Sequence, residues 1–394
     1  MILISGYSGT GKSSLVRSVR SDLMERGARF VSGKFDSGQR MQALSAVVSA
    51  LDDYCNILAQ DKDNIDQVSQ AITSAIGSEV AILAKIVPNL RKVISTLGED
   101  SSLTQVSGRE ALQQLTFLFR MLLRSTCSRG NPIVMFIDDL QWADEVSLEL
   151  IHALVTNSQT QGFLFIGCYR ENEVCSGHPL LLRLVDIKKS VNVDTTFIRV
   201  GNMDGETVST LLSDSLSILP RRTSDLSEAV MRKTGGNALF VVQFLASLCD
   251  DGLLCFSPSM RRWVWDTDRI NDRDIADNVV ELMRAKMLNL PSEVRDALRV
   301  VACFGANCQE DLLRIVDRSQ DSRVKVVSAL EPAVSDGLLV KTASLLRFSH
   351  DQVQRAAYSL VPDSEREELH LRLGRLICEN ASVDEIEKFL SVIV

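Results

Sequence analysis

The stretch MILISGYSGTGKSSLVRS, residues 1–18, decides the fold class of this chain. The apolar run ILIS at residues 2–5 predicts a short buried strand. A glycine-rich turn with one lysine comes next, and a helix with Leu15, Val19 and Leu23 on one face is predicted after the turn. The spacing of Gly6, Gly11, Lys12 and Ser13 fits the pattern G-x-x-x-x-G-K-[ST]. A strand before this pattern and a helix after it are the context in which it forms a phosphate-binding loop.

The phosphate-binding loop predicts ATP or ADP and Mg²⁺ as cofactors. Its glycines let backbone N–H groups curl around phosphate oxygens, because no Cβ stands in the way. We expect Lys12 to bring a positive charge to the β and γ phosphates and the Ser13 hydroxyl to ligate Mg²⁺. The predicted nucleotide-binding residues in the loop are Gly6, Ser8, Gly9, Thr10, Gly11, Lys12, Ser13 and Ser14.

A second acidic site is predicted by PIVMFIDDLQWAD, residues 132–144, which reads as an apolar strand that ends in two aspartates. We assign Asp138 to the Mg²⁺ water shell and Asp139 to orienting or deprotonating the attacking water. A turn or a helix cap is the other reading of such a pair, and the phosphate-binding loop in the same chain favours the functional one. Trp142 and Asp144 are expected to pack and to cap the next helix.

Arg170 follows the next apolar strand, at the tip of a strand predicted to lie beside the acidic one. There it would lie near the γ-phosphate and could sense hydrolysis. The alternative is an arginine that pairs with Glu171 or Glu173. The predicted catalytic residues are therefore Lys12, Asp139 and Arg170.

Five apolar runs separated by helical sequence predict an α/β fold with a parallel sheet, that of a P-loop NTPase, over residues 1–202. We expect every strand to be buried on both faces. The predicted strands lie at residues 2–5, 28–33, 132–138, 162–168 and 195–200. A mostly helical insert is predicted at about 41–127, with a polar, loosely ordered middle from 61 to 102.

After residue 202 the sequence predicts three further parts. Amphipathic helices ended by glycine or proline indicate an all-α lid domain at 203–290, interrupted by a hairpin at RRWVWDTDR, residues 261–269. Helices followed by two short apolar segments indicate a winged-helix-like domain at 291–362. Residues 363–394 read as the start of a C-terminal helical region.

Composition narrows the class of protein. A chain of 394 residues suggests two to three domains, and the net charge of −8 gives no reason to expect a polyanion partner. The nine cysteines are scattered without CxxC spacing, which predicts reduced, buried thiols in an intracellular, cytoplasmic protein. No apolar run approaches the roughly 18 residues of a membrane span, and the N-terminus lacks the pattern of a signal peptide.

The motifs together resemble one family, the AAA/STAND-type signalling ATPase module, which includes origin-recognition-complex-like AAA ATPase domains. The resemblance covers residues 1 to about 375, and DDLQWAD and FSHDQVQ are its most specific parts. The other matching segments are GYSGTGKSSLV, GKFD, GCYRENEV, HPL and KTGGNALFVVQFL. Such modules are commonly fused to protein kinase, histidine kinase or cyclase domains, so the resemblance implies protein partners or a fused signalling domain.

The resemblance also implies nucleotide contacts in the second half of the chain. Asn237 lies in GGNALF, where the family usually has a following proline that packs on adenine, and Ala238 stands in that place here. His350 matches the histidine that contacts the β-phosphate of ADP in STAND proteins. The alternative for His350 is a partly buried histidine beside a helix N-cap formed by Asp351 or Ser349.

The family normally has a segment before the first strand, with a Gly-Arg-Glu element near the adenine. This chain starts at that strand, and we interpret the GRE at residues 108–110 as a helix start, because Ser107 and Glu110 have capping-box spacing. We therefore expect an N-terminally incomplete chain and an incomplete adenine pocket. The C-terminus ends where the family usually continues into helical repeats.

These observations favour an ATP-binding switch whose ATP or ADP state controls domain arrangement. We expect slow hydrolysis because the sequence contains no clear arginine finger, although a nucleotide-dependent oligomer or a partner could supply one. The alternatives are a small-molecule kinase, a nucleotide-binding scaffold without hydrolysis, and a DNA-binding regulator. For DNA binding the candidates are Arg314, Arg318, Arg323, Lys325 and Lys341, diluted by Glu310, Asp311, Asp317 and Asp321.

Overall fold

The structure is a computed structural model, and it describes residues 1–36, 43–94, 109–190, 193–272, 279–318, 325–342, 345–382, 385–386 and 389. Among the described residues the chain divides into two units, with the boundary between Gly201 and Asn202. The finer domain bounds predicted from the sequence stay predictions.

The first unit is built on a parallel five-stranded sheet in the order β2-β3-β4-β1-β5. The α/β fold class is thereby confirmed. The strands are β1 (Ile2–Gly6), β2 (Arg29–Lys34), β3 (Ile133–Asp138), β4 (Phe163–Arg170) and β5 (Thr196–Arg199). The helices are α1 (Lys12–Ser18), α2 (Arg20–Glu25), α3 (Ser45–Gln60), α4 (Ile65–Ile76), α5 (Val80–Ile86), α6 (Leu90–Val93), α7 (Arg109–Thr126), α8 (Glu145–Val155) and α9 (Pro179–Lys189). Three-residue 3₁₀ turns lie at Gly77–Glu79, Leu140–Trp142 and Glu171–Glu173.

Burial differs between the middle and the edge of this sheet. All six residues of β3 are buried, as predicted. The prediction that β5 is buried on both faces is wrong, because all four of its residues are exposed. Among the described strands, β5 lies at an edge of the sheet and pairs with β1. An apolar run does not distinguish an edge strand from a central one.

The helical insert is more ordered than its composition suggests. Residues 65–94 were expected to be loosely ordered, but they form α4, α5 and α6 and bury Ile72, Leu83 and Leu90 completely. The prediction is wrong for this part. A few apolar residues at helical spacing are enough to pack a helix against neighbouring helices, even when the rest of its sequence is polar. Residues 95–102 lie outside the described part of the chain, as do Ser107 and Gly108 of the predicted helix start.

Helix α1 departs from the pattern predicted for it. Leu15 and Val19 were expected to share one helix face, yet α1 ends at Ser18 and α2 begins after Val19. Leu15 and Val19 are exposed, whereas Val16 is buried against the sheet. The residue of α1 that packs against the sheet is therefore Val16, and not Leu15 or Val19.

Gly33 in β2 marks a close approach of two backbones. A Cβ at this position would lie 2.0 Å from the carbonyl oxygen of Ala46 in α3. We expect Gly33→Ala to destabilise the first unit by about 2 kcal/mol and to lower its melting temperature by about 5 °C. Gly201→Ala is the matched control, because no atom lies within 4 Å of the added Cβ. Differential scanning calorimetry that finds equal melting for both variants would contradict the expectation.

The second unit is largely helical, as predicted. Its helices are α10 (Gly205–Leu216), α11 (Pro220–Thr234), α12 (Ala238–Asp250), α13 (Thr267–Asp272), α14 (Val279–Leu288), α15 (Ser292–Cys303), α16 (Glu310–Asp317), α17 (Val326–Ala329), α18 (Glu331–Ser335), α19 (Asp351–Tyr358) and α20 (Asp363–Asn380). Its strands are β6 (Leu254–Ser257), β7 (Arg262–Trp265), β8 (Asn307–Gln309), β9 (Leu339–Thr342) and β10 (Leu345–Phe348).

Two small sheets interrupt these helices. β6 and β7 form the predicted hairpin, and β8, β10 and β9 pair antiparallel in that order. From α15 to β10 the elements run helix, strand, three helices and two strands, the last two of which form a hairpin. The winged-helix-like domain remains an interpretation of this element order. The strand β8 was not predicted from the sequence.

The cysteines are free, as expected, but they are not uniformly buried. Four are exposed, namely Cys175, Cys249, Cys255 and Cys378. The prediction of buried thiols is wrong for these four, since helices such as α12 and α20 carry them on their solvent-facing side. In the described part of the chain, no helix is long and apolar enough to cross a membrane.

Candidate nucleotide-binding site

The phosphate-binding loop connects β1 to α1 in a backbone conformation that requires glycine. Gly6, Gly9 and Gly11 all have positive φ, at 152°, 80° and 96°. At Gly6 a Cβ would lie 2.2 Å from the carbonyl oxygen of Val200, whereas nothing lies within 4 Å of a Cβ at Gly11. Gly11 therefore leaves the space beside the loop open. Of the other predicted loop residues, Thr10 is buried and donates from Oγ1 to the Tyr7 carbonyl (2.9 Å), Ser8 is half-buried, and Ser14 is exposed on α1.

Lys12 is folded back onto the loop. Its Nζ donates to the carbonyl oxygens of Gly6 (3.0 Å) and Tyr7 (2.8 Å), and the residue is 8% exposed. Burial lowers the pKa of Lys12, and the positive charge of Arg170 lowers it further, while the carboxylates of Asp139 and Asp138 act in the opposite sense. A phosphate group beside Lys12 would supply the negative charge that this buried ammonium lacks.

Ser13 and Asp138 meet across the site. The Ser13 hydroxyl donates to Asp138 Oδ2 over 2.7 Å, although the two residues are 125 positions apart. Parallel strands place their carboxyl ends at one edge of the sheet, and this edge is where open α/β sheets bind ligands. A hydroxyl and a carboxylate are the hard oxygen donors that suit Mg²⁺, so the residues present fit the predicted ion.

Asp139 is held by three donors. It has a positive φ of 55°, which turns the chain sharply after β3. Its Oδ2 pairs with Lys34 Nζ (2.9 Å), and its Oδ1 accepts from Gln141 Nε2 (2.8 Å) and lies 3.2 Å from Arg170 Nε. The residue is 5% exposed. The structure brings Asp139 to the site, where its carboxylate already contacts Lys34, Gln141 and Arg170.

Arg170 lies at the end of β4, next to β3 as predicted, and is 3% exposed. Its Nη1 donates to Glu173 Oε1 (2.8 Å), which is one of the two pairings considered as the alternative to sensing. The guanidinium carbon also lies 4.6 Å from the centre of the Trp142 ring. These contacts show how Arg170 is held, and the sensor role stays a prediction.

Several residues at this edge were missed by sequence reasoning. Lys34 ends β2 in register with Asp138, so the parallel-sheet rule applied to β2 would have found it. Ser5 donates to Glu171 Oε1 (2.7 Å), and Arg199 Nη2 pairs with Glu171 Oε2 (3.0 Å). The hydrogen bond from Ser5 lowers the pKa of Glu171, with Arg199 adding to the effect.

Asp144 caps α8 as expected, since it accepts from the Ser147 N–H (2.8 Å).

Asn237 and His350 lie in the second unit, where each caps a helix. Asn237 Oδ1 accepts from the Phe240 N–H (3.2 Å) at the start of α12. His350 Nδ1 accepts from the Gln352 N–H (3.1 Å) at the start of α19. The alternative reading named Asp351 or Ser349 as that cap; this detail is wrong, because the histidine itself is the cap and Asp351 is the first helical residue. The predicted nucleotide contacts of Asn237 and His350 stay predictions.

The fold of the first unit and the geometry of this site define the class of domain, which is a P-loop nucleotide-binding domain. Residues 1–166 match the family model described as the AAA ATPase domain. A relative from Dictyostelium discoideum, "Hybrid signal transduction histidine kinase G", is 26% identical to this chain. The alignment covers 95% of this chain and 14% of the relative, so the chain spans a small part of that protein. The family-model match confirms the resemblance to AAA ATPase domains, and the relative is a signal transduction protein, in line with the signalling part of the resemblance.

Among solved structures, similar chains include the STAND protein with a tetratricopeptide repeat sensor from Pyrococcus horikoshii, at a TM-score of 0.48 and 14% identity, covering 99% of this chain and 44% of that one. Cdc6p from Pyrobaculum aerophilum has a TM-score of 0.38 and 12% identity, covering 96% and 87%. A Walker-type ATPase from Pyrococcus abyssi has a TM-score of 0.35 and 17% identity, covering 90% of each chain.

Proposed function

We propose that this chain binds ATP with Mg²⁺ and works as a slowly hydrolysing nucleotide switch in a signalling protein. The observation that carries the proposal is the 2.7 Å hydrogen bond between Ser13 and Asp138. It joins the phosphate-binding loop to the end of β3 and leaves two oxygen donors side by side for the ion. Ser13 and Asp138 would hold Mg²⁺, and the bound ion would supply positive charge against the negative charge that develops in the transition state.

The protein's own residues supply the remaining interactions in this proposal. Lys12 exchanges its two loop carbonyls for phosphate oxygens, and the loop amides bind the same anion. Asp139 orients the attacking water after its contacts rearrange, and Arg170 senses the γ-phosphate. Because Asp139 is engaged by Lys34, Gln141 and Arg170, we expect hydrolysis to be slow.

The relative supports the signalling part of the proposal. Similarity to a histidine kinase of the hybrid type is consistent with a fused kinase or cyclase-type domain, protein partners or a nucleotide-dependent oligomer. We further propose a cytoplasmic location, where nine free cysteines would stay reduced.

A second candidate function is nucleotide binding without hydrolysis. The contacts that already hold the Asp139 carboxylate favour it. Two cations and one amide occupy most acceptor positions of a carboxylate that has about four. In this candidate the switch is set by exchange of ATP for ADP alone.

Three of the basic residues that suggested DNA binding, Arg314, Arg318 and Lys341, pair with carboxylates. Arg314 and Lys341 both pair with Glu310, at 2.8 Å each, and Arg318 pairs with Glu385. Arg323 and Asp321 lie outside the described residues. The side chains of Arg314, Arg318 and Lys341 are exposed, and exposed ion pairs are weak, so DNA binding stays an alternative prediction.

The metal half of the proposal is tested by Ser13→Ala. We expect wild type to bind a fluorescent ATP analogue about tenfold more tightly with Mg²⁺ than with EDTA, because a hydrogen bond or ligand bond to a charged group contributes this much. Ser13→Ala should lose that difference. Ser18→Ala is the matched control, since its hydroxyl donates to Leu15 O within α1. A wild type that binds equally with and without Mg²⁺ would contradict the proposed ion site.

A further inference from the structure

The 3₁₀ turn Leu140–Trp142 holds the end of β4 at two points. Gln141 Oε1 accepts from the backbone N–H of Arg170 (3.1 Å), while Gln141 Nε2 donates to Asp139 (2.8 Å). The next residue, Trp142, places its ring 4.6 Å from the guanidinium carbon of Arg170. One residue of the turn thus fixes the Arg170 backbone, and its neighbour contacts the Arg170 side chain.

Asp139, Glu173 and Trp142, three of the groups that contact the Arg170 guanidinium, differ in what they do to its charge. Asp139 and Glu173 are anions, at 3.2 Å and 2.8 Å, and each partly neutralises the cation. The Trp142 ring attracts the cation through its electron-rich face but carries no net charge. Trp142 can therefore hold the Arg170 side chain in place without neutralising its positive charge.

The strand pairing also places Arg170 next to the phosphate-binding loop. In the parallel pairing of β1 with β4, Arg170 is the register partner of Gly6, the first residue of the loop pattern. Both strands therefore end at the edge of the sheet where the loop begins.

We propose that Trp142 is a positioning residue that holds Arg170 where its guanidinium contacts the γ-phosphate, and that it thereby sets the preference of the site for ATP over ADP. This inference rests on the ATP binding proposed above. ADP lacks the γ-phosphate, so a residue that acts through Arg170 affects the affinity for ATP and leaves that for ADP nearly unchanged.

The test measures dissociation constants for ATP and for ADP with Mg²⁺ by calorimetry on the full chain. We expect Trp142→Leu to weaken ATP binding by about fivefold, the usual scale of a partly buried cation–π contact, and ADP binding by less than about twofold. Trp142→Phe keeps an aromatic face and should retain most of the preference. Trp263→Phe, in the β6–β7 hairpin, is the control that should change neither constant.

A double-mutant cycle shows whether Trp142 acts through Arg170. In an Arg170→Ala background, Trp142→Leu should not change the ratio of the two constants further. Equal weakening of ATP and ADP, or an unchanged ratio in Trp142→Leu, would overturn the inference while the proposed ATP binding stands. A wild type that binds neither nucleotide would overturn both.

Discussion

Replacing Lys12 with alanine is expected to weaken ATP binding by about 100-fold, because hydrogen bonds from a charged group to phosphate oxygens are lost from a buried site. In the structure Lys12 Nζ already lies within the loop, 3.0 Å and 2.8 Å from two carbonyl oxygens. Titration with a fluorescent ATP analogue measures the effect.

The same variant should not lose thermal stability. Burial lowers the pKa of Lys12, so the folded chain disfavours the charged form, and removing the charge removes that penalty at neutral pH. Lys62→Ala is the control, because Lys62 is an exposed lysine of the same unit. Unchanged ATP affinity in Lys12→Ala would refute the nucleotide site, and a collapse of the melting temperature would show a structural role instead.

Replacing Asp139 with asparagine is expected to lower the rate of ATP turnover by about 100-fold while nucleotide binding stays within about threefold, because an amide cannot accept the proton of the attacking water. The asparagine keeps the shape of the side chain beside Gln141 but loses the ion pairs with Lys34 and Arg170. Single-turnover hydrolysis and equilibrium binding, measured on the same preparation, separate the two effects.

Asp144→Asn is the matched control for this variant. Asp144 lies five residues further along the same segment, where it caps α8, and asparagine caps helices about as well. Turnover that is equally fast in Asp139→Asn and wild type would exclude the proposed role of Asp139. If wild type binds ATP and shows no turnover, the non-hydrolysing candidate is the correct one.

Local pattern was sufficient to predict the phosphate-binding loop and the acidic strand end. The spacing from Gly6 to Ser13 constrains backbone conformation and chemistry within eight residues, and a six-residue apolar run identifies β3 without knowledge of its neighbours. That Asp138 would lie near Ser13 also followed from the chain, since parallel strands end at a common edge.

Contacts between distant segments could not be derived in the same way. The three donors to Asp139 come from β2, from the turn after β3 and from β4, and no local periodicity relates Lys34 to Arg170. The exposed β5 and the ordered helices of the insert are further cases, because burial depends on which elements lie alongside. His350 capping α19 with its own ring depends on backbone angles that composition does not specify.

Residue type and short spacing were thus enough to predict the class of site, a P-loop with an acidic strand end. Glycine conformations, a lysine charge and a strand terminus are properties of a few consecutive residues. Tertiary structure decided how the site is held. The pairing of Asp139 with Lys34 and Arg170, and the Trp142 ring against Arg170, arise only when β2, β3 and β4 lie side by side. Side chains more than 100 positions apart then interact at a few ångströms, where charge and ring contacts are strong enough to set orientation.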